Sequence, residues 1–315
     1  MRGRPVAAWG KTTSIGAVRN VSCSRQPLHG PSRLWNKMHM EFSVLIVTPP
    51  NYTHAECFRE VAETISHGLQ ELGHGAQVTT EMRPGTRHIV LGPHILLHYP
   101  LPLPADSILY NLEQLPLRDE AWVRRYAALL GRYVVWDYAE ENRAMLSRLG
   151  IARAALLPLC HYPGLERIPQ NISKDIDILF IGSLNERRRS LLGQMQQAGM
   201  AVVSLFNKYG TERDSAIARA KIMLNMHFYE ARIFEAVRVS YYLANGLCVL
   251  SEGSGDAGLD AEWGAGVCFA PYQDLVARAQ ALLADEALRA AYGQHGLALM
   301  RQRPITPALA AALAG

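Results

Sequence analysis

Ile176-Asp-Ile-Leu-Phe-Ile-Gly182-Ser-Leu-Asn-Glu186-Arg187-Arg188-Arg189 is the stretch from which the architecture of this 315-residue chain can be read. Its first six residues are apolar or β-branched but for one aspartate, which predicts a buried strand over 176–181. A glycine closes the strand, and Ser183 stands three residues before Glu186, the spacing of a capping box, so a helix is expected over 186–198. A strand that turns through glycine into a helix presents free backbone N–H groups and the positive end of a helix dipole, which together suit an anion. Successive helical residues point about 100° apart, so the three arginines cannot all face that anion. Arg187 or Arg188 is expected to meet it, with Arg189 turned to solvent. Without a ligand the same residues would make a solvated basic helix start, since the stretch holds neither a Walker lysine nor GxGxxG.

Downstream the alternation continues, with strands expected over 200–206, 222–226, 248–251 and 267–270, and helices over 212–220, 232–244 and from 274 onward. Asn225-Met-His227-Phe-Tyr229-Glu230-Ala-Arg232-Ile-Phe234-Glu235-Ala-Val-Arg238 joins a strand end to a helix, where α/β domains hold their ligands. In the predicted helix Ile233, Val237, Tyr241 and Ala244 share a core face, whereas Glu235, Arg238 and Tyr242 share another. Its carboxylates could accept hydrogen bonds from sugar hydroxyls, or Glu235 and Arg238 could form a plain (i, i+3) ion pair.

Upstream, strands are expected over 42–48, 77–80, 89–91, 108–110 and 133–136. A helix follows the first, with Phe58, Val61, Ile65, Leu69 and Leu72 at three- and four-residue steps and Gly73 as its stop. Others are expected over 118–130 and 140–149. Residues 160–175, with two prolines, a glycine and several charges, read as an interdomain linker. The fold class is therefore α/β, with two doubly wound Rossmann-like domains, residues 41–160 and 161–315, facing a cleft. In the first domain the loop Pro49-Pro-Asn51-Tyr52-Thr53-His54 carries acceptor-side candidates Asn51 and Tyr52. His54, near a helix N-terminus, is expected to stay neutral and able to act as a base, although it would serve equally as a capping or surface residue. Glu113 and Asp137, each after a strand, are further acceptor-side candidates, with Gln114 beside the first.

Composition bounds the function. Hydrophobic residues make up 49% and charged residues 19%, which suits a globular protein with a sizeable core. The net charge of +4 is local: residues 1–40 hold seven basic and no acidic residues, and removing these seven leaves −3 for the remainder. General affinity for nucleic acid is thereby excluded. Residues 1–40 show no apolar period and no signal-peptide core, and read as a disordered leader or an over-extended start, with a transit peptide as the alternative. No run of 18 apolar residues exists, so no transmembrane segment is expected and membrane contact is limited to the periphery. Five cysteines without CxxC spacing argue against a zinc site and a disulfide framework, and place the protein in the cytoplasm. The absence of HExxH, GxSxG and DxD argues against metallohydrolase, serine hydrolase and metal-dependent transferase chemistry.

Four stretches resemble the bacterial GT-B glycosyltransferases of the group 1 or family 4 type. Leu69-Gln-Glu-Leu-Gly73-His74-Gly75-Ala-Gln-Val78 is similar to their "GHxV" turn, and Ile178-Leu-Phe-Ile-Gly182-Ser-Leu to their "fvGxl" strand and turn. Leu243-Ala-Asn-Gly246-Leu-Cys-Val-Leu-Ser-Glu252 resembles their "AxGxPVV" segment, and Ala281-Leu-Leu-Ala-Asp285-Glu-Ala-Leu-Arg289 with Gly296 their "LLxDxxlR" tail. The resemblance covers most of residues 42–300 and implies a metal-independent, cofactor-free glycosyltransferase, retaining as in family 4, of the kind used in polysaccharide biosynthesis. Its substrates would be a nucleotide-sugar donor and a glycan, lipid-linked or protein acceptor. By that resemblance Gly182, Ser183, Arg187, Arg188, His227, Tyr229 and Arg238 are expected at the donor phosphates. Glu230 or Glu235 would orient the donor sugar, and His54 is the base if the enzyme inverts. The second glutamate of the family's E-x7-E motif is absent: Arg238 stands eight residues after Glu230, and Tyr241 stands five before Gly246. Glu235 is the candidate substitute. A nucleotide-sugar epimerase and an inactive GT-B-like scaffold are the alternatives.

Overall fold

Two parallel sheets, each with its strand order reversing once, set the plan of the computed structural model, which describes residues 39–115, 118–228, 234–254 and 257–315. The first sheet comprises β1 (Glu41–Ile46), β2 (Gly75–Thr79), β3 (Arg87–Leu91), β4 (Ile108–Asn111), β5 (Val134–Asp137) and the two-residue β6 (Ala155–Leu156). Its order is β2-β1-β3-β4-β5-β6. The second comprises β7 (Ile176–Ile181), β8 (Val202–Leu205), β9 (Ala220–Asn225), β10 (Val249–Glu252) and β11 (Val267–Ala270). Its order is β11-β10-β9-β7-β8. In both sheets the chain turns back beside the first strand, so crevices open beyond the carboxyl ends of β1 and β3 and of β7 and β9. The leader expected over residues 1–40 lies outside the described residues, apart from its last two.

Helices α1 (Arg59–Glu71), α2 (Glu120–Leu130) and α3 (Glu140–Arg148) belong to the first half. The second half adds α4 (Glu186–Gln197), α5 (Gly210–Ala218), α6 (Ala236–Ala244), α7 (Ala257–Trp263), α8 (Leu275–Ala284) and α9 (Glu286–Arg301). A last helix, α10 (Ile305–Ala314), crosses back onto α1. The crossing is close because Gly68 has no side chain: a Cβ there would stand 2.7 Å from Ile305 and 2.9 Å from Leu309. The central strands are buried on both faces, as continuous apolar runs require.

Several local expectations are corrected. The cap of α4 is Asn185, whose Oδ1 accepts from the Arg188 N–H at 3.0 Å. Ser183 lies two residues too early to do so. Helix α6 is buried almost all round, so Tyr242, expected beside Glu235 and Arg238 on a polar face, is 1% exposed. The stretch 160–175, read as an interdomain linker, is held to its surroundings. Leu165 and Ile168 are buried, and the Asn245 side-chain oxygen accepts from the N–H groups of both Arg167 and Ile168.

Candidate functional site

A cavity of about 580 Å³ opens where the carboxyl ends of the two sheets meet, within the range of small-molecule sites. Its second-half wall is built on β7. Gly182 ends that strand with φ +155°, and a Cβ there would lie 2.8 Å from Arg238 Nη1, so a glycine lets the guanidinium lie against the chain. Arg188 is 3% exposed. It donates to the Ser183 carbonyl at 2.9 Å, to the Met226 carbonyl, and to Glu235 Oε1 at 3.1 Å. Its guanidinium lies 5.0 Å from the Phe180 ring and 5.1 Å from the Phe228 ring. Arg238, from α6, donates to the Ile181 carbonyl and to Asn225 Oδ1 at 2.8 Å.

The charges here do not balance. Glu235 faces Arg188, Arg238 at 3.4 Å and the buried His227 ring at 3.4 Å. Burial works against a charged His227, but Glu235, with Glu252 and the Gly253 carbonyl, outweighs it and raises the pKa; burial likewise works against the Glu235 charge, and His227, Arg238 and Arg188 together hold that carboxyl below its ordinary value. Two guanidiniums and an imidazole thus share one carboxylate. Burial, with Arg238 beside it, pushes the Arg188 pKa down to about 10. The Nε atoms of Arg188 and Arg238 are buried without a partner, and the Ser183 N–H donates to nothing among the described residues. An anion at Gly182 would supply the missing charge.

Arg187 has another employment. It forms a two-armed ion pair with the buried Glu252 and lies 3.8 Å over the Tyr272 ring. Arg189 is exposed. Tyr229 and Glu230 lie outside the described residues.

The first-half wall is built from the loops after β1, β3 and β4. His54 stands at the rim, its Nδ1 2.8 Å from the Tyr209 hydroxyl of the other half. Its pKa is lowered by burial and by the Arg238 charge, against an opposing pull from Glu113. Tyr52 lines the cavity; Asn51, at φ +63°, shapes the turn before it and is not part of the wall. Glu113 lines the wall, paired with Arg118 and lying 3.3 Å from His94 Nδ1. Gln114 crosses to the Phe234 carbonyl at 2.6 Å. Asp137, read from the sequence as an acceptor contact, is fully buried behind this wall. It accepts from Asn111 at 2.7 Å and Asn142 at 3.0 Å, and both asparagines donate to the Glu113 carbonyl. Its place is to hold the Glu113 loop, and burial pushes its pKa up to about 7.

Behind the cavity, charges cross between the halves. Glu60 on α1 receives Arg213 of α5 at 2.7 and 3.2 Å and Arg167, which precedes β7, at 3.0 Å. Tyr241, where the resemblance places a glutamate, donates to Asp214 and accepts from Arg167, both at 3.0 Å. Sequence reading missed Glu60, His94, Tyr209, Arg213 and Glu252. For His94 a signal existed: Gly92-Pro93-His94 directly follows a recognised strand. Among the described residues no group of three or more His, Cys, Asp or Glu is placed to hold a metal, and no helix is long and apolar enough to cross a membrane.

No family model matches the chain. Its sequence is 27% identical over 179 residues to the uncharacterized protein L140 of Acanthamoeba polyphaga mimivirus, covering 54% of this chain and 57% of that protein. It is 31% identical over 117 residues to the uncharacterized protein L138 of the same virus, covering 36% of this chain and 13% of that one. The chain thus spans just over half of the first relative and a small part of the second. Among solved structures it is similar to HepE of Anabaena in complex with UDP and glucose, at TM-score 0.56 and 13% identity, with 88% of this chain and 98% of that one covered. Sucrose-phosphate synthase of Thermosynechococcus elongatus gives a TM-score of 0.53 at 15% identity, covering 88% and 97%. AviGT4, a glycosyltransferase involved in avilamycin A biosynthesis, gives 0.52 at 15%, covering 87% and 96%.

Proposed function

From the GT-B fold that this chain shares with those glycosyltransferases, we infer that it moves a sugar from a nucleotide-sugar donor to an acceptor held in the cavity. The observation that carries this reading is the surplus of buried positive charge at Gly182. Leaving of the nucleoside diphosphate is the step at which most negative charge develops. Preorganised cations in a water-poor site lower its barrier without having to reorganise. Arg188 and Arg238 are fixed by carbonyls of Ser183, Met226 and Ile181, so their positions do not depend on the ligand. Arg187 supports Glu252, and Glu235 is placed to hold the cations together or to meet the donor sugar.

Isothermal calorimetry with UDP, GDP, ADP and dTDP tests this. UDP leads because HepE was solved with UDP and glucose. The wild type binds at least one of the four. Arg238→Gln weakens that binding by at least about tenfold, the loss of one charge-assisted contact worth about 1.5–3 kcal/mol. A wild type silent across the panel overturns the reading, as does an Arg238→Gln protein that binds normally. Tyr241 in place of the expected glutamate favours one rival, a nucleotide-sugar-binding protein without turnover. Binding with no release of sugar from any donor over hours would select it.

A further inference from the structure

We propose that His94 is the base that takes the acceptor's proton, that Glu113 is the residue that positions it, and that transfer therefore inverts the anomeric centre. The inference rests on the glycosyl transfer proposed above, and runs against the retention that the family resemblance implies.

Topology places the histidine first. β1 and β3 are the neighbours between which the first sheet reverses, and His54 and His94 sit on the two loops that leave them. Gly92, at φ +74°, and Pro93 fix the turn, and the His94 ring stands edge-on to Phe58 with centroids 6.2 Å apart. His94 Nδ1 faces Glu113 Oε1 at 3.3 Å. Glu113 is itself fixed by Arg118 and by the asparagines that hold its carbonyl. His94 Nε2 has no protein partner among the described residues, and the side chain lines the cavity.

The groups that face His94 are Glu113, Arg118, His54 and His98. Burial lowers its pKa, Glu113 opposes this, and the cations add to it, so the ring is neutral at neutral pH. The Glu113 carboxylate, 3.3 Å from Nδ1, favours the tautomer that carries its proton there, which leaves the Nε2 lone pair available to an acceptor, as in a base steered by a third group. His54 lacks such a carboxylate partner. Its Nδ1 is occupied by Tyr209, and Arg238 disfavours its protonated form.

The acceptor oxygen forms a bond to the anomeric carbon as its proton passes to His94 Nε2. The bond from that carbon to the phosphate oxygen breaks, and its electron pair leaves on the diphosphate between Arg188 and Arg238. The imidazolium formed is stabilised by Glu113. With one base for the acceptor on the first-half wall and the leaving-group cations on the second-half wall, transfer is a single in-line displacement, and a single displacement inverts the configuration.

The test uses the full chain, UDP-glucose and the sugar nucleotides of whichever diphosphates bind, with water as acceptor. The first anomer released is read by proton NMR before mutarotation. An α-linked donor should release the β-sugar. His94→Gln should lower kcat at least about 100-fold, the usual worth of a general base, with KM changed by less than about threefold. Glu113→Gln should lower kcat about tenfold or more and shift the acidic limb of the kcat–pH profile, which a purely structural loss would leave in place. Retained UDP binding by each variant in calorimetry shows an intact cavity. Release of the α-sugar, or a His94→Gln protein within about threefold of wild type while His54→Gln is inactive, overturns the assignment. A wild type that binds nucleotide but releases no sugar also overturns it, while leaving the nucleotide site standing. One that binds none overturns the function itself.

Discussion

Glu60→Gln removes one negative charge from between two guanidiniums. Glu60 is 9% exposed and Arg213 7%, and their two-armed pair joins α1 of the first half to α5 of the second. Breaking a buried ion pair by neutralising one partner usually costs about 3–5 kcal/mol, because the other charge stays desolvated. Here neither arginine is wholly deserted. Arg213 keeps Asp214 at 2.8 Å, and Arg167 keeps Glu63 at 2.9 Å. The cost should therefore fall below that range, at about 2–3 kcal/mol, or a drop in Tm of roughly 4–6 °C for a chain of this size. Burial works against the Arg213 charge and the Glu60 carboxylate more than offsets it, holding its pKa above the ordinary value. Arg213→Met should accordingly cost a similar amount, and the double variant less than the two together. Calorimetric scans of the four proteins measure this coupling, expected at about 1 kcal/mol or more. A Glu60→Gln protein within about 1 °C of wild type, with additive effects in the cycle, would refute the view that this pair clamps the halves.

Two further perturbations test the walls of the cavity separately. Gly182→Ala sets a Cβ 2.8 Å from Arg238 Nη1 at φ +155°, and should weaken nucleotide binding about tenfold in calorimetry, at a cost of about 1–3 kcal/mol in stability. Normal affinity would mean that Arg238 is not held against this turn. Asp137 has a pKa raised to about 7, so the folded protein holds that proton more tightly than the unfolded chain. Its stabilising contribution is present in full below about pH 4 and is lost as the pH rises to 7, by up to about 4 kcal/mol. The stability advantage of wild type over Asp137→Asn in urea titrations should shrink over that interval. Parallel curves would show that Asp137 does not titrate there.

The strand and helix order was legible because parallel sheets demand apolar runs, and such runs stand out between glycines and prolines. β6 was not legible: two residues carry no period. Helix α6 misled for the opposite reason. Tyr242 shares a face with Arg238 in a helical projection, but α6 is packed on nearly every side, so periodicity no longer separates core from surface. Ser183 and Asn185 both offered a capping oxygen. The choice was settled by the turn after Gly182, which directs the Ser183 carbonyl to Arg188 and leaves Asn185 to cap and to reach the Phe228 carbonyl at 2.6 Å. Asp137 sits at a strand end as ligand residues do, yet the asparagines that enclose it come from β4 and α3, a juxtaposition no local pattern encodes.

The candidate site was harder to read because free charge belongs to a whole cavity and not to a motif. Locally, residues 186–189 promise an anion site centred on Arg187 and Arg188. Arg187 is then neutralised by Glu252, 65 positions away, and a cation is recruited in its place from Arg238, whose guanidinium lies against Gly182. Glu235, which helical spacing pairs with Arg238 alone, is divided among Arg238, Arg188 and His227. Spacing therefore pointed to the turn on which Arg188 and Arg238 converge, and misjudged which charges remain available at it. The same holds across the cleft, where His54 has the more telling position in sequence but His94 has the carboxylate. A base is made by its partner, and Glu113 reaches His94 only because β3 and β4 lie side by side in the sheet.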